Sequence, residues 1–205
     1  ISHDNSFLNY YPHVFTQRTL LARFQMNNTT PKHVQFIEKP VYSALGLASY
    51  LGEYASSVNV VENVSYVVSR NKNQTKIFYS CILLTSHVNL NDFKNKTKNY
   101  EIRITNLPKD RNDLFYFVEG LDNKRTNPSK IYERIGKPAY PESRFFAEMR
   151  NAQTPMIIEQ PQRIVDGNIF INTRLMEPFV IAIRICSKNI KTPKRVYDLR
   201  LRKIN

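Results

Sequence analysis

The sequence predicts a mainly β protein: an antiparallel β-sandwich with one interrupting helix, preceded by a unit of one strand, one loop and one helix. From residue 60 onward, short β-rich runs alternate with turn-rich linkers such as residues 71–73 and 166–168. Within two of these runs, residues 100–105 and 179–185, apolar side chains occupy every second position. That alternation is typical of antiparallel strands with one solvated face. Before residue 60 the apolar spacing is helical instead.

The unit that precedes the sandwich begins with a predicted strand at residues 19–25, in which Leu20, Ala22 and Phe24 alternate with other side chains. A polar stretch follows at residues 27–33. Pro40 then opens a helix, because a proline at the first helical position has no hydrogen bond to lose. The helix is predicted to carry a single apolar stripe, made of Val41, Ala44, Leu45, Ala48 and Leu51. We expect the boundary with the sandwich near residues 51–59, which gives domains of residues 1–54 and 55–205.

The sandwich is predicted to contain seven strands, at residues 64–69, 77–85, 100–107, 114–121, 168–175, 179–186 and 196–202. One helix interrupts them at residues 142–151. Pro141 and the acidic Glu142 suit its start, and Phe145 and Met149 supply its apolar side.

The length of 205 residues limits what the chain can hold. A complete (β/α)₈ barrel needs roughly 250 residues, so this chain cannot contain one. No run of about 18 apolar residues occurs, and we expect no membrane span. The first residues lack an initiator Met and the basic and apolar regions of a signal peptide. We therefore expect the chain to be cut from a longer precursor.

The charge suggests a polyanionic partner, because 30 Lys and Arg stand against 17 Asp and Glu, a net charge of +13. Nucleic acid and sulfated glycosaminoglycan both fit. The basic residues are spread over loops, and in the densest region, residues 191–202, Arg200 and Arg202 alternate with leucines. Such a pattern is more typical of a strand with one solvated face than of a nucleic-acid arm, so we expect no nucleic-acid partner.

Other residue types indicate the compartment and limit the chemistry. The glycosylation triplets at Asn27, Asn28, Asn63, Asn73 and Asn95 favour the secretory pathway. The two cysteines, Cys81 and Cys186, are too few for a disulfide framework. His13, His33 and His87 lack ligand spacing, so the sequence predicts neither a metal site nor a cofactor.

Two blocks of sequence carry a resemblance to a known family. The first lies within residues 1–30 and includes YYPHVFTQRTL at residues 10–20 and the overlapping triplets at Asn27 and Asn28. The second comprises LDN at 121–123, TNP at 126–128, GKPAYP at 136–141 and FFAEMR at 145–150. In order and spacing both are similar to the α-L-iduronidase family, lysosomal hydrolases of the glycoside hydrolase 39 type that remove terminal iduronic acid from dermatan and heparan sulfate. The resemblance implies that residues 1–54 are the last βα unit of a TIM-type (β/α)₈ barrel.

The resemblance also implies two substrate-binding residues, Asp4 and Arg18, which in the family line the sugar pocket. Their chemistry suits this role, because a carboxylate accepts hydrogen bonds from ring hydroxyls and a guanidinium binds an anionic sugar. One departure is that Arg18 lies at the start of the predicted strand, although substrate groups in barrels favour the C-terminal ends of strands.

The catalytic groups are expected outside this chain. A retaining glycosidase needs two carboxyl groups about 5 Å apart, and the resemblance implies two glutamates on barrel strands upstream. The glutamates present match no catalytic motif, and we expect them on helix ends, loops and solvated strand faces. The chain alone should therefore be inactive.

The resemblance implies further features of the mature protein. Asn27 matches a family glycosylation position near the mouth of the active site, and we favour it over Asn28 because neighbouring glycans clash. Asn63, Asn73 and Asn95 are further candidates for glycosylation. Cys186 is expected to pair with a cysteine beyond the chain end, and the localisation is expected to be lysosomal.

Two alternative functions remain. The first is a non-catalytic carbohydrate- or glycosaminoglycan-binding sandwich, which the charge favours. The absence of Trp counts against it, although 12 Tyr and 12 Phe weaken that objection. The second, a nucleic-acid-binding protein, depends on the isoelectric point alone.

Overall fold

The computed structural model describes residues 11–16, 19–61, 64–70, 79–86, 97–109 and 112–187. Antiparallel strands dominate these residues, and three short helices join them. The strands are β1 (Leu21–Met26), β2 (His33–Glu38), β3 (Tyr54–Val61), β4 (Val64–Arg70), β5 (Tyr79–Ser86), β6 (Thr97–Ile104), β7 (Leu114–Asp122), β8 (Met156–Arg163), β9 (Ile169–Met176) and β10 (Phe179–Ser187). The helices are α1 (Pro40–Ala48), α2 (Pro128–Arg134) and α3 (Ser143–Asn151). None of these helices is long and apolar enough to cross a membrane.

Three antiparallel sheets organise the described residues. Strands β1 and β2 pair as a hairpin. The largest sheet has the order β3-β4-β5-β10-β7-β8, and a two-stranded sheet pairs β6 with β9. The predicted mainly β class with antiparallel sheets is therefore confirmed. The assignment of residues 1–54 to a barrel and the boundary near residues 51–59 stay predictions.

The main hydrophobic core joins the two-stranded sheet to the large sheet. Ile181, Ile183 and Ile185 of β10 are buried with Ile169 and Ile171 of β9. The partly buried side chains of β6 complete this core, and they are Tyr100, Ile102 and Ile104. Their neighbours Glu101 and Arg103 are exposed, so the alternation predicted for β6 is confirmed.

The expectation of a solvated face on β10 is wrong. Ala182 and Arg184, on the face opposite the main core, are buried. Strand β10 lies between β5 and β7, and the second face is covered by Leu47 of α1 and by Tyr50, which follows that helix. A central strand covered on both faces buries side chains on both of them, so isoleucines at alternate positions do not imply that the other face is solvated.

Helix α1 begins at Pro40 as predicted, but its apolar residues do not form a single stripe. The buried side contains Ser43 and Leu47, and it faces the large sheet. Val41 and Leu45, two members of the predicted stripe, are 48% and 38% exposed. A helix that carries apolar residues on two sides is typical of one buried in a larger protein.

Several elements were not predicted. Strand β2 turns the expected strand, loop and helix into a hairpin followed by a helix. Strand β3 and helix α2 were missed, so two helices interrupt the sandwich strands instead of one. Strand β8 was missed because Pro161 interrupts its pattern, and proline is tolerated there because β8 is an edge strand. The strand predicted at residues 196–202 lies outside the described residues.

The turn before β9 requires a glycine. Gly167 has a φ of +69°, and a Cβ added there would lie 2.4 Å from the carbonyl oxygen of Leu107. The amide of Leu107 in turn donates to the carbonyl of Gly167 at 3.1 Å. This close approach joins the end of β6 to the start of β9.

We expect Gly167→Ala to destabilise the protein by at least about 2 kcal/mol, because the methyl group meets a backbone carbonyl that cannot move away without breaking the turn. Gly136→Ala is the matched control: Gly136 also has a positive φ, but a Cβ there meets nothing within 4 Å. It should cost only about 1 kcal/mol. Urea denaturation of both variants measures the difference, and equal losses would contradict a steric cause.

Candidate functional site

The two substrate-binding residues implied by the resemblance, Asp4 and Arg18, lie outside the described residues. The structure does describe the chain on both sides of Arg18. Strand β1 begins at Leu21, two residues later than predicted, so Arg18 precedes the strand. The contacts of the flanking residues therefore define the support on which a site at Arg18 would be built.

The residues before Arg18 are anchored in an aromatic cluster. Val14 is buried, and the ring of Phe15 lies 5.5 Å from that of Tyr132 and 6.2 Å from that of Phe24. Phe24 also meets Phe146 of α3 edge to face at 5.2 Å. Helices α2 and α3 thus pack against the β1–β2 hairpin and against the segment that leads to Arg18. Edge-to-face pairs add about 1 kcal/mol each beyond the area they bury.

The residues after Arg18 are anchored by Lys39, the residue that caps α1. Lys39 and Thr19 are both buried. The Lys39 ammonium donates to Thr19 Oγ1 at 2.6 Å, and the Lys39 amide donates to the carbonyl of Leu20 at 2.9 Å. Burial lowers the pKa of Lys39 to about 8. No local pattern predicts this contact, because Lys39 and its partner Thr19 are twenty residues apart in the sequence.

The predicted glycosylation site at Asn27 lies in the turn of the β1–β2 hairpin. Asn27 and Asn28 are both exposed there. The turn is closed by the amide of Asn27, which donates to the carbonyl of Gln25, and by the hydroxyl of Thr29, which donates to the carbonyl of Met26. An exposed turn gives an attached glycan room, so the geometry suits the prediction for Asn27. Asn63, Asn73 and Asn95 lie outside the described residues.

The LDN motif contains a buried hydrogen-bond centre at Asp122. Its carboxylate accepts the amides of Lys124, Arg125 and Met176 at 2.9, 2.6 and 3.2 Å, and the Arg125 side chain lies 2.8 Å away. Desolvation raises the pKa of Asp122, but the hydrogen bonds from Arg125 and Met176 outweigh it, and the net shift is downward. Asp122 therefore ties the end of β7 to the end of β9. The motif that carries the resemblance has a structural role here.

We expect Asp122→Asn to cost about 2 to 4 kcal/mol at neutral pH, because an amide leaves buried donors unsatisfied and breaks the pair with Arg125. A carboxyl whose folded-state pKa is lowered stabilises the fold above its unfolded pKa, and that contribution is lost as the pH falls through the folded value. The difference between Asp122→Asn and wild type should therefore shrink below about pH 4.

Asp166→Asn is the control for Asp122→Asn, because Asp166 is an exposed turn residue with a φ of 55° that asparagine also adopts. Chemical denaturation between neutral and acidic pH measures both variants. A penalty for Asp122→Asn that did not change with pH would contradict the role of the charge.

The expectation that the glutamates occupy solvated positions is wrong for Glu119. This residue is 3% exposed on β7, and Arg184 of β10 lies 2.5 Å from its Oε2. The Arg184 guanidinium also lies between two rings, 3.9 Å from the centroid of Tyr50 and 3.6 Å from that of Phe117. Glu119 is paired with a cation, and this environment is that of a structural ion pair.

We expect Glu119→Gln to destabilise the protein by about 3 to 5 kcal/mol, because it leaves the buried guanidinium without a counter-charge. Glu101→Gln removes the partner of Arg103 in an exposed pair on β6 and should change stability by less than about 1 kcal/mol. Thermal and urea unfolding check both values. A small effect of Glu119→Gln would mean that Tyr50 and Phe117 hold Arg184 without help.

No group of three or more His, Cys, Asp and Glu side chains that could hold a metal occurs among the residues that the structure describes. The cysteines in this part are free thiols: Cys81 is buried, and burial raises its pKa to about 12. Burial also raises the pKa of Cys186. The predicted disulfide of Cys186 with a cysteine beyond the chain end stays a prediction.

A cavity of about 760 Å³ lies between β6 and the β4–β5 part of the large sheet. Its floor is apolar and includes Val64, Val68, Ile82 and Leu84. The charged groups at its rim are paired. Lys98 lies 3.0 Å from Glu177, which also accepts from the Tyr100 hydroxyl at 2.6 Å, and Arg103 pairs with Glu101. Because these cations have carboxylate partners, the rim offers little net positive charge to a polyanion.

Comparison of the chain with known protein families identifies the family to which it belongs. The model of "Glycosyl hydrolases family 39" matches residues 1–169. The chain belongs to glycosyl hydrolase family 39. Its similarity to α-L-iduronidases extends over nearly all of its length: it is 33% identical to the α-L-iduronidase of Drosophila melanogaster and 30% identical to that of Homo sapiens.

The matched region is a part of these relatives. The alignment covers 100% of the chain and 33% of the Drosophila protein, and 98% of the chain and 32% of the human protein. The chain thus spans about a third of the length of the curated relatives it matches. A solved structure of the bacterial orthologue of human α-L-iduronidase has a TM-score of 0.65 and 19% identity, over 86% of this chain and 32% of that one. At this identity the likeness shows the fold alone.

Proposed function

We propose that this chain is the C-terminal part of an α-L-iduronidase-like glycoside hydrolase that removes terminal α-L-iduronic acid from dermatan and heparan sulfate. Membership of glycosyl hydrolase family 39 is the observation that carries this proposal. The retaining reaction needs a general acid and a nucleophile, and the two glutamates that supply them are proposed to lie upstream of this chain. The chain alone is therefore proposed to be inactive.

The partner of the chain is proposed to be the rest of its own barrel. Supporting this, several large apolar side chains of β2 and α1 are exposed to solvent among the described residues. Val34 and Phe36 of β2 are 38% and 43% exposed, and Val41 and Leu45 of α1 are exposed to a similar degree. Exposed large apolar side chains on consecutive elements favour a contact with another part of the protein.

Substrate binding is proposed to involve Asp4 and Arg18. The Arg18 guanidinium is proposed to bind the carboxylate of the iduronic acid, since its planar fork of donors matches a carboxylate. Asp4 is proposed to accept hydrogen bonds from ring hydroxyls. Anchors on both sides of Arg18, the aromatic cluster at Phe15 and the Lys39 contact at Thr19, support this assignment because a binding group must be held in place.

A lysosomal location, a glycan on Asn27 and a sulfated glycosaminoglycan substrate complete the proposal. The exposed hairpin turn supports the glycan, and the net charge of +13 supports a polyanionic substrate. The alternative, a non-catalytic glycosaminoglycan-binding module, gains no support from the β6 cavity, because Lys98 and Arg103 at its rim are paired with carboxylates among the described residues.

The test uses the full-length protein and a fluorogenic α-L-iduronide. Wild type should turn it over, and Arg18→Gln should raise KM about 10- to 100-fold, because a charge-assisted hydrogen bond to the substrate is lost. Asp4→Asn should act in the same direction. Arg144→Gln is the matched control: it makes the same substitution at an arginine of α3 whose side chain is 69% exposed to solvent.

Two outcomes would contradict the proposed function. One is turnover by this chain alone, which would place the catalytic groups within it. The other is a full-length protein that hydrolyses other glycosides but not iduronides.

A further inference from the structure

A chain of hydrogen-bonded side chains joins helix α3 to the β1–β2 hairpin, and His33 lies in it. The Arg150 guanidinium of α3 donates to Gln35 Oε1 on β2. The Gln35 amide nitrogen lies 3.0 Å from His33 Nε2. His33 Nδ1 lies 3.2 Å from the carbonyl oxygen of Pro31 and 3.1 Å from Thr29 Oγ1. These contacts run from α3 to the turn of the hairpin.

The direction of each hydrogen bond in this chain is fixed by Arg150. A guanidinium has donors and no acceptor, so the oxygen of the Gln35 amide must face it. The amide nitrogen, which only donates, then faces His33, and His33 Nε2 has to be the acceptor. An imidazole that accepts at Nε2 carries its proton on Nδ1, where the carbonyl of Pro31 accepts it. The complete chain of bonds therefore requires a neutral His33.

Protonation of His33 leaves one bond of this chain unmade. Both ring nitrogens of an imidazolium are donors, so His33 Nε2 and the Gln35 amide nitrogen would present hydrogens to each other across 3.0 Å. Turning the Gln35 amide over would give His33 an acceptor, but it would take that acceptor away from Arg150. Gln35 therefore bridges α3 and the hairpin only while His33 is neutral.

The charged groups around the imidazole do not compensate for the lost bond. Strand β1 places uncharged side chains, Met26 and Phe24, opposite His33 and its neighbour on β2. The charge that faces this pair from α3 is Arg150, and Glu148 of the same helix pairs with Arg134 of α2. Among the residues that the structure describes, the imidazole makes no ion pair with a carboxylate.

We propose that His33 makes the contact between the hairpin and α3 responsive to pH. The contact is closed while the imidazole is neutral, and it opens at Gln35 when the imidazole is protonated. Histidine is the side chain whose charge ordinarily changes between about pH 5 and 8. The contact is therefore closed at neutral pH and open in an acidic compartment. This inference does not depend on the substrate or on the proposed function.

The test is hydrogen–deuterium exchange of the full-length protein, measured by mass spectrometry at about pH 7.5 and pH 5 and corrected for the intrinsic pH dependence of amide exchange. Peptides that contain β2 and the end of α3 should exchange at least about twofold faster at pH 5, because an open contact lowers their local protection. Peptides from β10, a central strand of the large sheet, are the internal reference and should exchange equally at both pH values.

Gln35→Glu is the decisive variant, because it should reverse the response. A carboxylate has two accepting oxygens, so it can bond Arg150 and protonated His33 at the same time. In this variant the same peptides should exchange more slowly at pH 5 than at pH 7.5.

Two histidine variants show whether His33 is the group that titrates. His33→Gln should give equal exchange of these peptides at both pH values. His13→Gln is the matched control, since it makes the same substitution at an exposed histidine outside this chain of contacts, and it should keep the wild-type response.

Three results would overturn the inference. The first is equal exchange of the wild-type peptides at the two pH values. The second is a response that persists in His33→Gln, because another group would then be titrating. The third is a Gln35→Glu protein that responds in the same direction as wild type. None of these measurements uses enzymatic activity, so a failure of the proposed function and a failure of this inference are separate results.

Discussion

The described structure depends on the burial of β10 on both faces. Its isoleucines form one core with the β6–β9 sheet, and its opposite face forms another with α1 and Tyr50. On that second face the strand carries Arg184, and the charge is tolerated because Glu119 neutralises it and two aromatic rings enclose it. The ion pair joins the neighbouring strands β7 and β10 inside this otherwise apolar contact. The contact of α1 and Tyr50 with the large sheet therefore combines apolar packing with one buried ion pair.

The second join is made by the α2–α3 insertion between β7 and β8. Phe146 and Tyr132 close on Phe24 of β1, and Phe15 packs on the same rings. The start of this insertion is held by Asp122, the last residue of β7. Its carboxylate accepts the amides of Arg125, in the turn before α2, and of Met176, at the end of β9. This buried carboxylate thus fixes the turn that precedes α2, and α2 and α3 in turn pack against the hairpin and Phe15.

Much of the sandwich follows from alternation alone, because strands that face one core must repeat every second residue. The exceptions have physical causes. Strand β8 was not predicted because Pro161 interrupts its pattern, and a proline is tolerated there because β8 is an edge strand. Strand β2 was not predicted because polar side chains interrupt its apolar pattern. The expectation that Glu119 and Arg184 lie on solvated strand faces was wrong for one reason. Alternation of every second residue indicates a strand, but it does not indicate what covers the other face of that strand. For the candidate site, the residue types at Asp4 and Arg18 came from family resemblance. The Lys39 contact required the register that sets Leu21 opposite Glu38, and no local pattern encodes it.

The position of these contacts bears on how a module of this kind would serve a hydrolase. Binding an anionic sugar requires a cation whose position is fixed before the substrate arrives, because ordering a flexible side chain and its backbone at the moment of binding costs about 1 to 2 kcal/mol per residue. The residues on either side of Arg18 are already ordered by elements that belong to, or are fastened to, the sandwich. The conformational cost of the proposed substrate segment would thus be met during folding, by packing against the described sandwich and its helices. Under the proposed role of Arg18, the sandwich would contribute to binding by way of its packing, and a substitution at its junction with the hairpin would weaken substrate binding without touching the sugar.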